Sequence, residues 1–254
     1  MNIKRLAATT AVLLFTTGTA AADIAIRYSN PTGNGDDMVL VVSGKRAAME
    51  IPGGQGQDGR IVFDSDSNKL FMVMDSEQRY MDMDAMMQSL GGLSDMLSGM
   101  MEGLPDDAKG QLGGLLGNQG GDQAPAVEPE LVATGKTDTV GGIDCNISTY
   151  RSASAEMEMC LADPGDVGVS QADFEVLKAM MAKQKESAKQ AGEMLGLRGM
   201  DMGPGAINQV PLRMRQLSGP DSGTSSEFRG LSEDVDVMSV TIPDNYPVMS
   251  LTGG

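Results

Sequence analysis

Two cysteines and 22 methionines carry the most distinctive side-chain chemistry in this sequence. Cys145 and Cys160 are the only thiols, and the 254 residues include no histidine. Without an imidazole the chain cannot form a Ser-His-Asp or Cys-His nucleophile, or a histidine-ligated zinc or haem site. Catalysis by carboxylates is chemically open, but spacing marks out no pair among the 35 acidic residues. The sequence therefore predicts a protein that is not an enzyme and has no cofactor.

The cysteines lie in two neighbouring segments, 143–150 and 155–161, that each alternate apolar and polar residues. The residues between these segments are typical of a turn, so the pattern predicts a β-hairpin. A turn centred between Ser152 and Ala153 places Cys145 directly opposite Cys160, within reach of a disulfide. An even cysteine count in an oxidising compartment favours the same pairing. A redox-active pair is the alternative, but the CxxC spacing and a nearby base are lacking.

Methionines and leucines recur every three or four residues over 82–104, which predicts a helix with one apolar stripe. The stripe consists of Met86, Met87, Leu90, Leu93, Met96, Leu97, Met100 and Met101. Because methionine is flexible and polarizable, we interpret the stripe as the lining of an apolar groove. Thioethers also suit Cu(I), so a soft-metal site is one alternative, and an oxidant-scavenging surface is another. No metal ligands are predicted, because the methionines lack the tight repeated spacing of a copper tract.

The first 22 residues have the pattern of a cleavable export signal. Lys4 and Arg5 precede an apolar stretch, and the small residues 20–22 suit a signal peptidase that cleaves after Ala22. The apolar stretch is shorter than the roughly 20 residues that span a bilayer. We therefore expect a periplasmic protein with no stable membrane insertion after signal cleavage.

The charge balance of the chain is strongly acidic, with 19 basic and 35 acidic residues and a net charge of −16. Cleavage of the signal would remove Lys4 and Arg5 and no acidic residue, which leaves 17 basic residues and a net charge of −18. Nucleic acids and anionic lipid surfaces are bound through basic patches, so binding to nucleic acid is not expected.

Two short motifs of ligand-binding type occur in contexts that do not suit them. Residues 54–59 match the GxGxxG spacing, but a strand-like segment follows where a dinucleotide site needs a helix. Residues 64–68 resemble the start of a calcium loop, but Lys69 and Asp75 occupy the positions of the required glycine and glutamate. We interpret these segments as a flexible loop and a hairpin turn.

The remaining pattern predicts one mainly β domain over 23–254 with helical insertions, an α+β chain. A helical and glycine-rich insertion is predicted at about 82–130, with a mobile linker over 110–130, and a second helix at about 170–196. An antiparallel sheet of roughly eight to ten strands is expected. Strand-like segments are found at 24–28, 38–42, 46–51, 60–64, 69–74, 131–139, 143–150, 155–161, 210–217, 227–231 and 235–242, and residues 79–81 are predicted as the exit from the sheet.

Several short segments spread over most of the mature chain occur in the same order as in a known family. They are Met49–Ile51, Arg60–Asp64, Lys69–Val73 with Tyr80, Thr134–Gly142 leading into Cys145-Asn146, Pro211–Arg213 and Ile242–Tyr246. The chain resembles an exported bacterial domain-of-unknown-function family, which is itself similar to the periplasmic lipoprotein carriers LolA and LolB. The resemblance implies a curved antiparallel sheet, a half-barrel, with helices on its concave face and no catalytic residues.

We therefore expect a non-enzymatic periplasmic protein that binds a lipid or other apolar ligand between the sheet and the helices. The first alternative is a methionine-rich protein that binds copper in the cell envelope. The second is a structural protein whose acidic surface and flexible insertion serve another envelope protein as partner.

Overall fold

The computed structural model describes residues 23–31, 36–51, 59–102, 129–152, 155–194, 208–219 and 222–249. At 51, 93–102 and 193–194 only the backbone is described. The predicted signal peptide and all but the end of the predicted linker lie outside these residues.

Eleven strands of the described residues form one open antiparallel sheet, in the order β6-β5-β4-β3-β2-β1-β11-β10-β9-β8-β7. They are β1 (Ile24–Tyr28), β2 (Met38–Ser43), β3 (Arg46–Ile51), β4 (Gly59–Asp64), β5 (Lys69–Met74), β6 (Arg79–Asp82), β7 (Glu130–Val140), β8 (Ile143–Arg151), β9 (Glu156–Ala162), β10 (Val210–Ser218) and β11 (Ser225–Ser232). The predicted mainly β class with helices is confirmed. The sheet has eleven strands instead of the expected eight to ten, and the predicted exit at 79–81 belongs to the edge strand β6.

In the described residues three α-helices accompany the sheet: α1 (Met83–Glu102), α2 (Pro164–Val167) and α3 (Gln171–Met194). Short 3-10 turns occur at Asp75–Glu77 and Val237–Val240. The two long helices match the predicted ones to within about two residues at each end of the described segments. No helix in the described part of the chain is both long enough and apolar enough to cross a membrane.

Strands β1 to β5 bury both of their faces. In β1, Ile24 and Ile26 belong to a core cluster with α3, whereas Ala25 belongs to a cluster on the opposite face. We call the first the helix face of the sheet. The opposite face packs against Val235, Val240 and other residues of the C-terminal segment 233–249. Coverage on both faces explains why these strands are nearly continuous apolar runs rather than alternating ones.

Helix α3 begins at a reciprocal cap. The hydroxyl of Ser170 accepts a hydrogen bond from the Asp173 amide at 3.2 Å and donates to Asp173 Oδ2 at 2.5 Å. This satisfies a free donor of the first turn and sets the start of the helix. Phe174, Leu177 and Met180 are then buried on one side of α3, against the helix face of the sheet.

The Cys145–Cys160 disulfide is confirmed, with the two Cα atoms 5.4 Å apart. The predicted register is wrong, because Cys160 lies opposite Ile147 and the two cysteines are diagonal neighbours. The turn is centred later than predicted, since the Ser152 amide donates to the Ala155 carbonyl at 2.9 Å. Cys145 stays on the face of Ile147 because side chains two residues apart in a strand point the same way.

The strand predicted at 235–242 is wrong. Asp236 accepts a hydrogen bond from the Met238 amide at 2.9 Å and caps the 3-10 turn Val237–Val240. A side chain that bonds its own neighbouring backbone competes with strand pairing. The apolar residues of this segment, including Val240 and Ile242, bury against the opposite face of the sheet instead of extending it.

Arg60 ties the C-terminal segment to the sheet. Its guanidinium forms an ion pair with Asp75 through Nη1, and Nη2 donates to the Thr241 carbonyl at 2.9 Å. The Tyr246 hydroxyl donates to the same Asp75 at 3.2 Å. The segment also covers the edge strand β6, because the Tyr80 amide donates to the Pro247 carbonyl at 3.2 Å.

Replacing Arg60 with methionine is expected to lower the free energy of unfolding by about 1–3 kcal/mol, because the Thr241 carbonyl and Asp75 lose a charged donor. Urea unfolding at pH 7 measures the loss, and limited proteolysis reports whether the segment 233–249 detaches first. Arg46→Met is the matched control, since Arg46 pairs with Asp64 on the surface and should cost at most about 1 kcal/mol. Equal losses for the two variants would contradict the anchoring role.

Candidate functional site

An apolar cavity of about 230 Å³ lies between α3 and the helix face of the sheet. Strands β1, β2, β3, β9 and β10 supply one wall, and α3 supplies the other. Six methionines of the described residues line it: Met38, Met49, Met159, Met180, Met181 and Met214. They come from four strands and one helix and range from position 38 to position 214 of the sequence.

Strand and helix periodicity place these side chains around one space. Met159 of β9 lies directly opposite Met214 of β10, so the two share a face of the sheet. On α3 the lining residues recur at three- and four-residue spacing, which puts Leu177, Met181 and Gln184 along one side of the helix. Strand pairing and helix periodicity therefore explain part of the lining, although consecutive residues such as Met38, Val39 and Leu40 also contribute to it.

Among the described residues, only three strongly polar side chains line the cavity: Gln184, Lys185 and Gln209. This described lining includes a lysine and no carboxylate, in a protein whose net charge is −16. The Nε2 atom of Gln184 is buried and has no hydrogen-bond partner among the described residues. Tyr28 also lines the cavity, and burial raises the pKa of its phenol well above the ordinary value, so it stays neutral.

Three of the predicted groove residues of α1 have described side chains. Met86 and Leu90 are half-buried and Met87 is buried, and none of these three is among the residues that line the apolar cavity. The side chains of the other five members of the stripe, Leu93, Met96, Leu97, Met100 and Met101, lie outside the described residues. Their role as groove lining stays a prediction.

A second, polar cleft of about 790 Å³ lies where α1 meets α3, and Met87 contributes to its wall. Lys69 pairs with Asp82 at 2.7 Å, and Lys183 pairs with Asp84 at 3.0 Å. Burial lowers the pKa of Lys183, but the carboxylates of Asp84 and Glu186 outweigh burial and raise it overall. Both lysines of the cleft are thus paired with aspartates, and the Lys183–Asp84 pair connects α3 to α1.

Asp82 caps the start of α1. Its Oδ1 atom accepts hydrogen bonds from the amides of Asp84 and Ala85 at 3.0 and 3.1 Å, while Oδ2 accepts from Lys69. Burial alone would raise the pKa of Asp82. The hydrogen bonds from Lys69 and the two amides, with the charge of Lys69, outweigh burial and hold this pKa below its ordinary value.

Asp82→Ala is expected to lower the free energy of unfolding at pH 7 by about 0.5–2 kcal/mol, the usual cost of losing a helix cap. Asp82→Asn is the matched control and should cost less, because asparagine caps helices as well as aspartate does. The measurement is urea unfolding of both variants beside the parent protein.

The Asp82 variants also test how the free energy of unfolding depends on pH. A carboxyl whose pKa is depressed by folding contributes stability above its unfolded-state pKa of about 3.9, and this is lost as pH falls through the lower folded value. The gap between the parent and Asp82→Asn should therefore be full at neutral pH and shrink below about pH 4. A gap that is unchanged down to pH 2 would show that the charge of Asp82 contributes nothing.

A scan against family models gave no match, and a search of curated proteins gave none. Solved structures of PNGF-II in the C2 and P21 space groups resemble the chain with TM-scores of 0.44 and 0.40 and sequence identities of 9% and 8%. Each match covers 90% of this chain and 31% of the PNGF-II chain, so the protein spans about a third of that length.

Proposed function

We propose that the protein is a non-enzymatic periplasmic carrier that binds an apolar ligand between α3 and the sheet. One observation carries the proposal: six methionines from separate strands and one helix line a single apolar cavity. Ligand sites are concave and mostly apolar, with few polar groups that fix orientation. Methionine suits such a site, because its unbranched side chain adapts to ligands of different shape.

The proposal extends to the shape of the sheet and the compartment. The sheet would be a half-barrel, with α1 and α3 packed on its concave face, as the family resemblance implies. The export-signal pattern of residues 1–22 and the disulfide support a periplasmic location, because disulfides persist in oxidising compartments. In this proposal the ligand lies against α3, and the apolar stripe of α1 extends the lining from the neighbouring helix.

Native mass spectrometry of protein purified from the periplasm without detergent tests the proposal. We expect an apolar compound to remain bound, and lipid extraction to release it. Met214→Trp should reduce the bound fraction, because Met214 is a half-buried lining residue and a larger side chain there fills the cavity. Met238→Trp is the control, since Met238 is exposed on the C-terminal segment 233–249. Protein that is consistently free of ligand would refute the carrier function.

Copper binding is the second candidate, and the same six methionines favour it. Thioethers are ligands for Cu(I), and the lining brings several of them to one cavity. Titration with Cu(I) under reducing conditions should then show uptake tighter than micromolar, with loss of affinity in a Met159→Leu, Met214→Leu double variant. Weaker uptake, or uptake that this variant leaves unchanged, would exclude a copper site in the cavity.

A further inference from the structure

The volume of the cavity beside α3 favours a ligand with a single chain. A volume of about 230 Å³ holds about eight methylene groups, if each needs roughly the 30 Å³ that a water molecule takes in the liquid. A phospholipid with two acyl chains, or a lipoprotein anchor with three, exceeds this space several-fold. The cavity therefore suits one chain of medium length.

The polar side chains of the lining indicate which chemical group the ligand carries at the end of its alkyl chain. The buried Nε2 donor of Gln184 has no hydrogen-bond partner in the described part of the chain, which is costly unless a ligand supplies an acceptor. Lys185, the next residue on α3, lines the same cavity and is exposed, so it marks the opening. A ligand group that accepts a hydrogen bond and carries a negative charge would suit both Gln184 Nε2 and the Lys185 ammonium.

Lys185 differs from its neighbours on α3. Lys178 pairs with Glu175 at 3.3 Å, and Lys183 pairs with Asp84 at 3.0 Å. Lys185 forms no ion pair with a carboxylate of the described residues, and no carboxylate lines the cavity beside it. Its charge is thus available to an anionic ligand, although the surface as a whole is acidic.

We propose, as a refinement that rests on the proposed carrier function, that the cavity binds a single-chain carboxylic acid of medium length. The alkyl chain lies among the methionines, and the carboxylate accepts hydrogen bonds from Gln184 Nε2 and Lys185 Nζ. A charged hydrogen bond of this kind is stronger than a neutral one and selects the acid over its ester.

The test compares three ligands with one ten-carbon chain and different heads: decanoate, methyl decanoate and decyltrimethylammonium. Titration calorimetry at pH 7, below the concentrations at which they form micelles, should show decanoate binding about tenfold tighter than the ester. The cation should bind more weakly than either. A lysophospholipid with one ten-carbon chain is included, and it should bind more weakly than decanoate because its head is larger.

Two variants separate the roles of the polar residues. Lys185→Met should weaken decanoate binding about tenfold and leave the ester unchanged, because only the acid carries a charge. Gln184→Leu should weaken both, since each ligand has a carbonyl acceptor. Lys178→Met is the control and should change neither. Lys185 is exposed on the helix, so circular dichroism of the variant should match the parent.

The outcomes distinguish this inference from the proposed function. Equal binding of all three heads would overturn the carboxylate assignment while the apolar carrier function stands. Preference for decanoate that survives Lys185→Met would overturn the role of Lys185. Tighter binding of the lysophospholipid than of decanoate would show that the site recognises a lipid headgroup instead of a free carboxylic acid. No binding of any chain would end both the inference and the carrier function.

Discussion

Leu212→Ala is expected to lower the free energy of unfolding by about 2–5 kcal/mol, the range for truncating a buried leucine. Leu212 is fully buried on β10, in the core cluster shared with α3. Truncation removes methyl contacts and leaves a void, and the surrounding strands are held by their own pairing and cannot collapse into it. Urea unfolding followed by far-ultraviolet circular dichroism measures the change.

Leu217→Ala on the same strand is the matched control. Leu217 is 41% exposed, so the same substitution there should change stability by no more than about 0.5 kcal/mol. If the two variants lost similar stability, the burial of β10 against the helix face of the sheet would be incorrect, and with it the position of the neighbouring cavity residues.

Removal of the disulfide is expected to cost about 3 kcal/mol, the chain-entropy value for a loop of about 15 residues. Cys145 and Cys160 are 15 residues apart and both are buried in the core. A Cys145→Ala, Cys160→Ala double variant should unfold at lower urea concentration than the oxidised parent. Alanine is chosen because it leaves no buried hydroxyl at either position.

Reducing agent provides the control for the disulfide. The oxidised parent should lose stability when the disulfide is reduced, whereas the double variant should be unaffected because it has no thiol. If the parent and the double variant unfolded at the same urea concentration under oxidising conditions, the disulfide would contribute nothing to the stability of the protein.

Local patterns of the sequence predicted most of the elements of the fold. The apolar run at Lys69–Met74 and the three-to-four spacing of α3 both produce the expected element, because each depends on neighbours close in sequence. The strand prediction at 235–242 was wrong because the apolar residues there resemble a strand, whereas the Asp236 cap sets the local structure. The predicted register of the cysteine hairpin was wrong because a turn of four residues can be centred in more than one way.

The candidate site was harder to predict than the fold. Met180 and Met181 were visible as a pair on a predicted helix, but nothing local relates them to Met38 or Met214. The cavity exists because β1 pairs with β11, which brings the two halves of the sheet together across about 200 residues. Strand order of this kind is set by tertiary packing, so single-sequence periodicity cannot supply it. Gln184 and Lys185 had no sequence signal beyond their place on a helix.

The central claim, that the cavity between α3 and the sheet receives an apolar ligand, can be tested with one fluorescence titration. The chain has no tryptophan, so Phe174→Trp places a single indole in the lining. Titration with decanol, which has no charge, should shift its emission saturably at about one equivalent. The same titration of Phe71→Trp, which places the indole beside Tyr80 on the opposite face, should produce no shift. No shift in Phe174→Trp, or the same shift in both variants, would contradict the claim.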